Sequence, residues 1–219
     1  MPCYSFDPVL VNYILDPTTD MHRDQAMNIF ELPASEIIKP IRHIGKNKFV
    51  FPQFYGDWYK SCAAAIWEEA QGLKTASGID LMHHLKLQGY PTLEKFENHI
   101  KDVENKFWTL LDATSRWKDK AVKDYLQKGY VELYTGFRRH GLLDRKQIVN
   151  TPIQGTAFHC LLWSYMRVSE IAESEGWESN LIGQIHDEMI ADVVPEEEEH
   201  VAATIKRVMC EDIKEWAKW

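Results

Sequence analysis

The stretch of this 219-residue chain richest in reactive groups is LIGQIHDEMIADVVPEEEE, Leu181 to Glu199, where His186, Asp187 and Glu188 stand side by side between two apolar runs. Leu181–Gln184 and Met189–Val194 have strand character, so the three ionisable residues fall where a hairpin turns. Tight hairpins favour Asn-Gly or Asp-Gly at that point, and neither is present here. Ionisable groups in place of turn-formers indicate a turn that holds something. Neighbouring carboxylates on such a turn make an oxygen-rich site of the kind Mg²⁺ uses, bound through one or two carboxylates plus substrate phosphates. Three residues also describe an ordinary solvated turn, so distant segments have to decide.

The elements that must carry this turn are mostly helical. Asp7–Leu15 reads as a short helix, and Thr19 or Asp20 as the cap of a helix through Met21–Phe30. Gly45–Glu69 is helix-compatible, with Pro52 starting a new helix or kinking an old one. Ile79–Leu87 is helical. Leu93–Thr114 carries an amphipathic stripe at Phe96, Ile100, Val103, Phe107 and Leu110, which reads as core packing. Trp117–Leu126 continues helically, and GYVELYTGFRRHG reads as a hairpin turning at Thr135–Gly136. A long helix from Gln154 to Ser174 and a last one over Glu196–Glu215 flank the strands around His186. The fold class is α+β, with strands confined mostly to the final third.

Composition sets the outer bounds. A hydrophobic fraction of 45%, with eight Trp, nine Tyr and nine Phe, excludes disorder. The net charge of −8 advertises no bulk affinity for nucleic acid, though much of the excess sits in runs such as Glu196–Glu199. Cys3, Cys62, Cys160 and Cys210 lie far apart and form no C-x-x-C pair, which implies neither a zinc site nor a disulfide framework. No apolar run approaches the roughly 20 residues that span a bilayer, and the N-terminus has no signal-peptide pattern. A cytoplasmic protein with reduced thiols and no membrane is expected.

Agreement between distant segments decides what the turn is for. NTPIQGTAFHCLL, about thirty residues before QIHDE, resembles the N-x-P-x-Q-G-T-A pattern of family A DNA polymerases, in which strand–HDE–strand is the third polymerase motif. DMHRDQAMNIF resembles that family's D-I-H-x-x-T-A-x-x-I-F, and RHIGKNKFVFPQFYG its fingers helix, R-x-x-x-K-x-x-x-F-x-x-x-Y-G. GYVELYTGFRRHG resembles the G-Y-V-x-T-x-x-G-R-R-R segment. Five blocks in the right order are far more specific than any one. The resemblance, phage-like in flavour, implies a helical fingers domain and the C-terminal part of a palm with an antiparallel sheet. Residues 1–32 would form the entry from palm to fingers, 33–127 the fingers and 128–219 the palm portion.

The resemblance also implies roles. Asp187 would be a direct ligand of Mg²⁺, with Glu188 shaping the metal site and His186 meeting the primer terminus. Arg42 and Lys46, one helical turn apart, would face the triphosphate of an incoming deoxynucleotide (dNTP), and His22 would touch it too. Tyr55 would lie near the nascent base pair. Lys46 to Tyr55 is nine residues where the family has eight, so the residue stacking on the nucleotide is Phe51 or, alternatively, Val50. Lys48 is an alternative to Lys46. Asn150 and Gln154 would meet the DNA minor groove, where amide donors find acceptors at every base pair. Lys146 or Arg145 would hold a phosphate in place of the family's Arg, and Arg138 and Arg139 would position backbone phosphates. His159 stands where the family has Asp.

Two-metal chemistry needs a second carboxylate set. In the family it comes from a first motif, a strand ending in D-x-x-x-x-E that lies immediately before the segment resembled by CYSFDPVL, and only Met1-Pro2 stands there in this chain. That Asp, the thumb and any proofreading domain are therefore expected from elsewhere, either a longer polypeptide or the second polypeptide of a split polymerase. The partners implied are primer–template DNA, dNTPs and that second polypeptide, with two Mg²⁺ ions. Two rival readings are a non-catalytic remnant that binds a partner and an HD-type phosphohydrolase. The latter places its His-Asp pair on helices, whereas this pair lies between strand-like runs.

Overall fold

The computed structural model describes residues 2–218. It separates into two compact units, Met1–Asp124 with Asp144–Val149 and Tyr125–Leu143 with Asn150–Trp219.

Side-chain caps start four helices of the first unit. Asp7 accepts from the N–H groups of Val9 and Leu10 ahead of helix Pro8–Leu15, and Asp20, rather than Thr19, caps Met21–Phe30. Asp80 and Thr92 do the same for Leu81–Leu87 and Leu93–Leu110. Each such cap satisfies backbone donors that a helix start leaves open. One core gathers Ile29, Phe30, Ile41, Phe49, Ile66 and Phe96, among others. The stripe of Leu93–Leu110 buries Phe96, Ile100, Val103 and Phe107 as its spacing predicts. Leu110 does not join it. The helix ends there, leaving Leu110 half exposed while the non-helical Leu111 turns fully into the core.

Between Lys39 and Phe54 the chain is helical in three pieces. Lys39–Ile44 and Phe51–Phe54 are α-helical, and Gly45–Val50 between them is a π-helix. Pro52, which has no N–H to donate, sits in the first turn after the wide segment, where that loss costs least. Behind this turn lies a buried polar network. Gln53 Nε2 donates to Glu104 Oε1 at 2.6 Å, and Trp108 Nε1 donates to Gln53 Oε1 at 2.7 Å. Lys118 Nζ donates to the Gln53 carbonyl at 3.2 Å and lies 3.9 Å from the centre of the Trp108 ring.

Helix Arg145–Glu175, whose residues from Asn150 on belong to the second unit, begins nine residues earlier than the sequence suggests and runs through Pro152. A hairpin of β1 (Tyr130–Glu132) and β2 (Arg138–His140) lies along one face of it. Three contacts one turn apart make that seam. Arg139 Nη1 donates to Thr151 Oγ1 at 2.8 Å, and His159 Nδ1 shares a 2.6 Å hydrogen bond with Thr135 Oγ1. Between them Gly155 lets Leu133 in so closely that a Cβ would come within 2.5 Å of its Cδ2. The second sheet is also a two-stranded hairpin, β3 (Asn180–Ile185) and β4 (Glu188–Asp192), with a bulge between Leu181 and Gly183. Leu181 and Met189 pack with Trp163 and Ile205 on a small core of Val168, Ile171 and Val208. The C-terminal helix is interrupted, Glu198–Arg207 passing through a π-helix at Val208–Asp212 into Ile213–Trp216. Among the described residues no helix is long and apolar enough to cross a membrane.

Burial, with the nearby charge of Arg145 adding to it, lowers the Lys118 pKa from 10.5 to about 8. The unfolded chain therefore binds more protons between those values, so the penalty is complete below pH 8 and relieved as pH rises. Wild type should gain about 1 kcal/mol over Lys118→Met between about pH 7 and 9, read from denaturant unfolding at each pH. A gap independent of pH would contradict this.

Candidate functional site

In the first unit, Asp20 organises a cluster of candidate residues. One of its carboxylate oxygens accepts from the N–H groups of His22 and Arg23, both at 3.1 Å, and the other from Arg42 Nε at 2.6 Å. Burial works to raise the Asp20 pKa, but the bonds from Arg42 and the Arg23 N–H outweigh it and hold the carboxyl below its usual range. The pair thus fixes one edge of the Arg42 guanidinium. Asp20, His22, Arg23 and Arg42 line a cavity of about 550 Å³. His22 Nδ1 and Arg23 Nε are buried there with no hydrogen-bond partner among the described residues. Burial first, and the charge of Arg42 second, lower the His22 pKa and favour its neutral ring.

The π-helix decides which side chains join Arg42. Val50 is fully buried in the core, whereas Phe51 is 38% and Tyr55 39% exposed. The Phe51 ring meets His22 edge-on at 5.7 Å and lies 6.3 Å from Tyr55. Lys46 Nζ sits 5.2 Å from the centre of the same ring, while Lys48 is paired with Glu69 at 3.1 Å. Of the alternatives the sequence leaves open, Phe51 and Lys46 share this face and Val50 and Lys48 are engaged elsewhere. A guanidinium fork and an ammonium suit a polyphosphate, and adjacent exposed rings suit a flat base. Also in this unit, Lys146 Nζ lies 3.3 Å from Asp57 and Arg145 Nη2 2.7 Å from Asp119.

The second unit holds the acidic turn. Ile185 pairs with Glu188, leaving His186 and Asp187 as a two-residue turn. His186 itself takes the left-handed conformation, φ +53°, that a primed hairpin turn requires at its first central residue. Among non-glycine residues His is one of the few enriched there, which answers how the turn forms without Gly or Asn. The Gln184 side chain donates to the His186 carbonyl at 2.8 Å, and every residue from Gln184 to Glu188 is exposed. No group of three or more potential metal ligands occurs among the described residues. Asp187 and Glu188 fit Mg²⁺ as a partial oxygen donor set that further ligands must complete.

The basic hairpin and the long helix carry the remaining candidates. Arg138 Nε donates to Glu132 at 2.8 Å and its guanidinium covers Tyr130, while Arg139 is held by Thr151. Asn150 and the exposed Gln154 lie one turn apart on the helix, and Asn150 Oδ1 is buried without a partner among the described residues. Sequence reasoning missed the Asp20–Arg42 pair and the Gln53 network. The first joins residues 22 apart that carry opposite charges, a weak signal, and the second carries none.

Comparison with known proteins fits this order of elements. A family model described as DNA polymerase family A matches residues 1–216. A DNA polymerase of Bacillus phage SP01 is 25% identical over 214 residues, covering 94% of this chain and 21% of its own length. DNA polymerase I of Chloroflexus aurantiacus is 29% identical over 202 residues, covering 87% and 18%, and that of Aquifex aeolicus is 24% identical over 210, covering 92% and 33%. The chain thus spans a third or less of these relatives. In fold it is similar to the POL domain of Pol1 from M. smegmatis, solved in complex with DNA primer-template and dNTP. The TM-score is 0.68 at 17% identity, covering 95% of this chain and 34% of that one.

Gly45 sets how closely the π-helix can approach helix Met21–Phe30, since a Cβ there would lie 2.7 Å from the His22 carbonyl and 3.0 Å from Ala26 Cβ. Gly45→Ala should destabilise the first unit by about 1–3 kcal/mol in denaturant unfolding. Gly183→Ala, which meets nothing within 4 Å, should stay within about 0.5 kcal/mol.

Proposed function

This chain belongs to DNA polymerase family A, and from that membership we propose that it is the fingers and C-terminal palm portion of a DNA-directed DNA polymerase, adding deoxynucleotides to a primer 3′ end in DNA replication. The observation that carries the reading is the face on which Arg42, His22, Lys46, Phe51 and Tyr55 meet. In this reading residues 33–127 are fingers and 128–219 palm.

Two Mg²⁺ ions, when bound, lower the pKa of the primer hydroxyl and neutralise the triphosphate and its leaving group. Asp187, with Glu188 beside it, would hold part of that metal set, and His186 would face the primer terminus. Arg42 and Lys46 would bind the triphosphate, and neutral His22 would hydrogen-bond it without adding charge. Phe51 would stack on the incoming base, with Tyr55 against the nascent pair. Asn150 and Gln154 would meet the minor groove, leaving Arg138, Arg139, Arg145 and Lys146 to the backbone phosphates. The chemistry is positioning and charge stabilisation, which is most of what phosphoryl transfer asks of a protein.

The hairpin β3–β4 supports a further supply of ligands. It is a sheet of only two strands, and Ile182 and Ile185 on β3 are 63% and 53% exposed. Such a hairpin is marginal alone and offers an edge for another strand. We infer that a strand bearing the first-motif Asp pairs here, from a longer form of this polypeptide or a second one, and brings the thumb with it. A phage polymerase stands among the relatives beside bacterial ones, and the setting proposed is a bacterial cytoplasm, whether the enzyme is phage-encoded or not.

Primer extension tests this directly. Residues 1–219 alone should not extend a primer, and adding the polypeptide that carries the first motif should restore extension. In that complex Asp187→Ala should reduce the rate by at least about a hundredfold. Robust extension by the chain alone, or a normal rate in the variant, would refute the assignment.

A further inference from the structure

The reading above assigns work to Phe51 and Tyr55, on the outer face of one short turn. The inner face of that turn is Gln53, 1% exposed. Its side chain is saturated. Nε2 donates to Glu104 Oε1 at 2.6 Å and lies 3.5 Å from Cys62 Sγ, and Oε1 accepts from Trp108 Nε1 at 2.7 Å. Its carbonyl accepts from Lys118 Nζ at 3.2 Å and from the Gly56 N–H at 3.2 Å. Glu104 also accepts from the backbone N–H of Tyr59, which begins the next helix, so one carboxylate ties both sides of the loop after Tyr55.

A partly buried network of polar and charged groups adds little net stability, since apolar residues of similar volume in place of the whole set often do as well or better. What it can supply is a single orientation, because every donor and acceptor must find its partner at once. The turn needs that supply. Only four residues, Phe51–Phe54, are α-helical between the π-helix and the bend at Tyr55, and Pro52 among them donates no backbone bond.

We propose that Gln53 is a positioning residue for nucleotide binding: clamped by Glu104, Trp108 and Lys118, it fixes the rotation of the Phe51–Tyr55 turn and so presets the two rings for the incoming base. This rests on the polymerase reading of Phe51 and Tyr55. Its structural part does not.

Two measurements separate them. In the isolated chain, Gln53→Leu, close in volume but unable to make either side-chain bond, should raise hydrogen exchange of the Tyr55, Gly56 and Asp57 amides about tenfold. Its thermal midpoint should fall by a few degrees, because Glu104 and Trp108 Nε1 lose their partner, and amides elsewhere in the first unit should exchange no faster than that fall accounts for. In the extending complex the same variant should raise KM for dNTP about tenfold and leave kcat and primer–template affinity within about twofold. Glu104→Gln keeps an acceptor for Gln53 and should retain the wild-type KM, whereas Glu104→Leu should reproduce the defect. Unchanged exchange at those amides overturns the positioning role, whatever the chain's activity. Altered exchange with an unchanged KM, in a complex whose wild type extends primers, overturns its use in nucleotide binding. If the wild-type complex does not extend at all, the polymerase reading falls, and with it the assigned use of the turn.

Discussion

An α-helix can take one extra residue only by widening a turn, and that constraint governs the first unit. Each residue advances an α-helix by about 100°, so nine residues would carry Tyr55 about 180° round from Lys46. The two would then face opposite ways. The π-helix at Gly45–Val50 absorbs the surplus. With that turn widened, Val50 goes into the core, Phe51 comes out, and Lys46, Phe51 and Tyr55 line up beside His22. Gly45 opens the wide segment because nothing larger fits against the His22 carbonyl. Moving the extra residue elsewhere would exchange the buried and exposed side chains of the whole segment.

How legible this was differs from element to element. The stripe from Phe96 to Phe107 was readable because apolar side chains at three- and four-residue steps have one way to be buried. The hairpin around the acidic turn was readable from its flanking apolar runs, with Ile185 paired to Glu188 as the strands close. The nine-residue spacing announced an irregularity in the Lys46–Tyr55 segment, yet it could not say where the surplus goes, because Val50 and Phe51 are both apolar. Burial decides between them, and burial is a tertiary fact. Helix Arg145–Glu175 was misjudged at its start because Pro152 reads as a breaker. There the buried neighbours Ile148, Val149, Thr151 and Thr156 outweigh the lost backbone bond.

The two units differ in how they are held. The first has a broad core from Leu10 to Leu111, with the Gln53 network set against its working turn. The core of the second centres on three buried residues, and its helix leaves Phe158, Leu162 and Met166 at least 43% exposed along one stripe at four-residue steps. Exposed apolar stripes of this kind mark contact surfaces. Ile182 and Ile185 on the hairpin of the same unit are exposed as well. The unit proposed to bind the nucleotide thus has the broader core, and the one proposed to hold the metal the smaller.

The cations assigned to DNA are also partly spoken for. Arg138 is paired with Glu132, Arg145 with Asp119 and Lys146 with Asp57, while Arg139 is held by Thr151. A phosphate reaching any of the first three must compete with a carboxylate already in place. Affinity for a duplex comes largely from releasing the counterions condensed on its phosphates. A cation tied to its own carboxylate gives up that pair to make the new one, so less of the gain survives. These are surface pairs, each worth little by itself, and on the proposed reading they would hold the side chains in place until a phosphate arrives. On the proposed reading, with a net charge of −8, this chain aligns a duplex that another part of the enzyme holds.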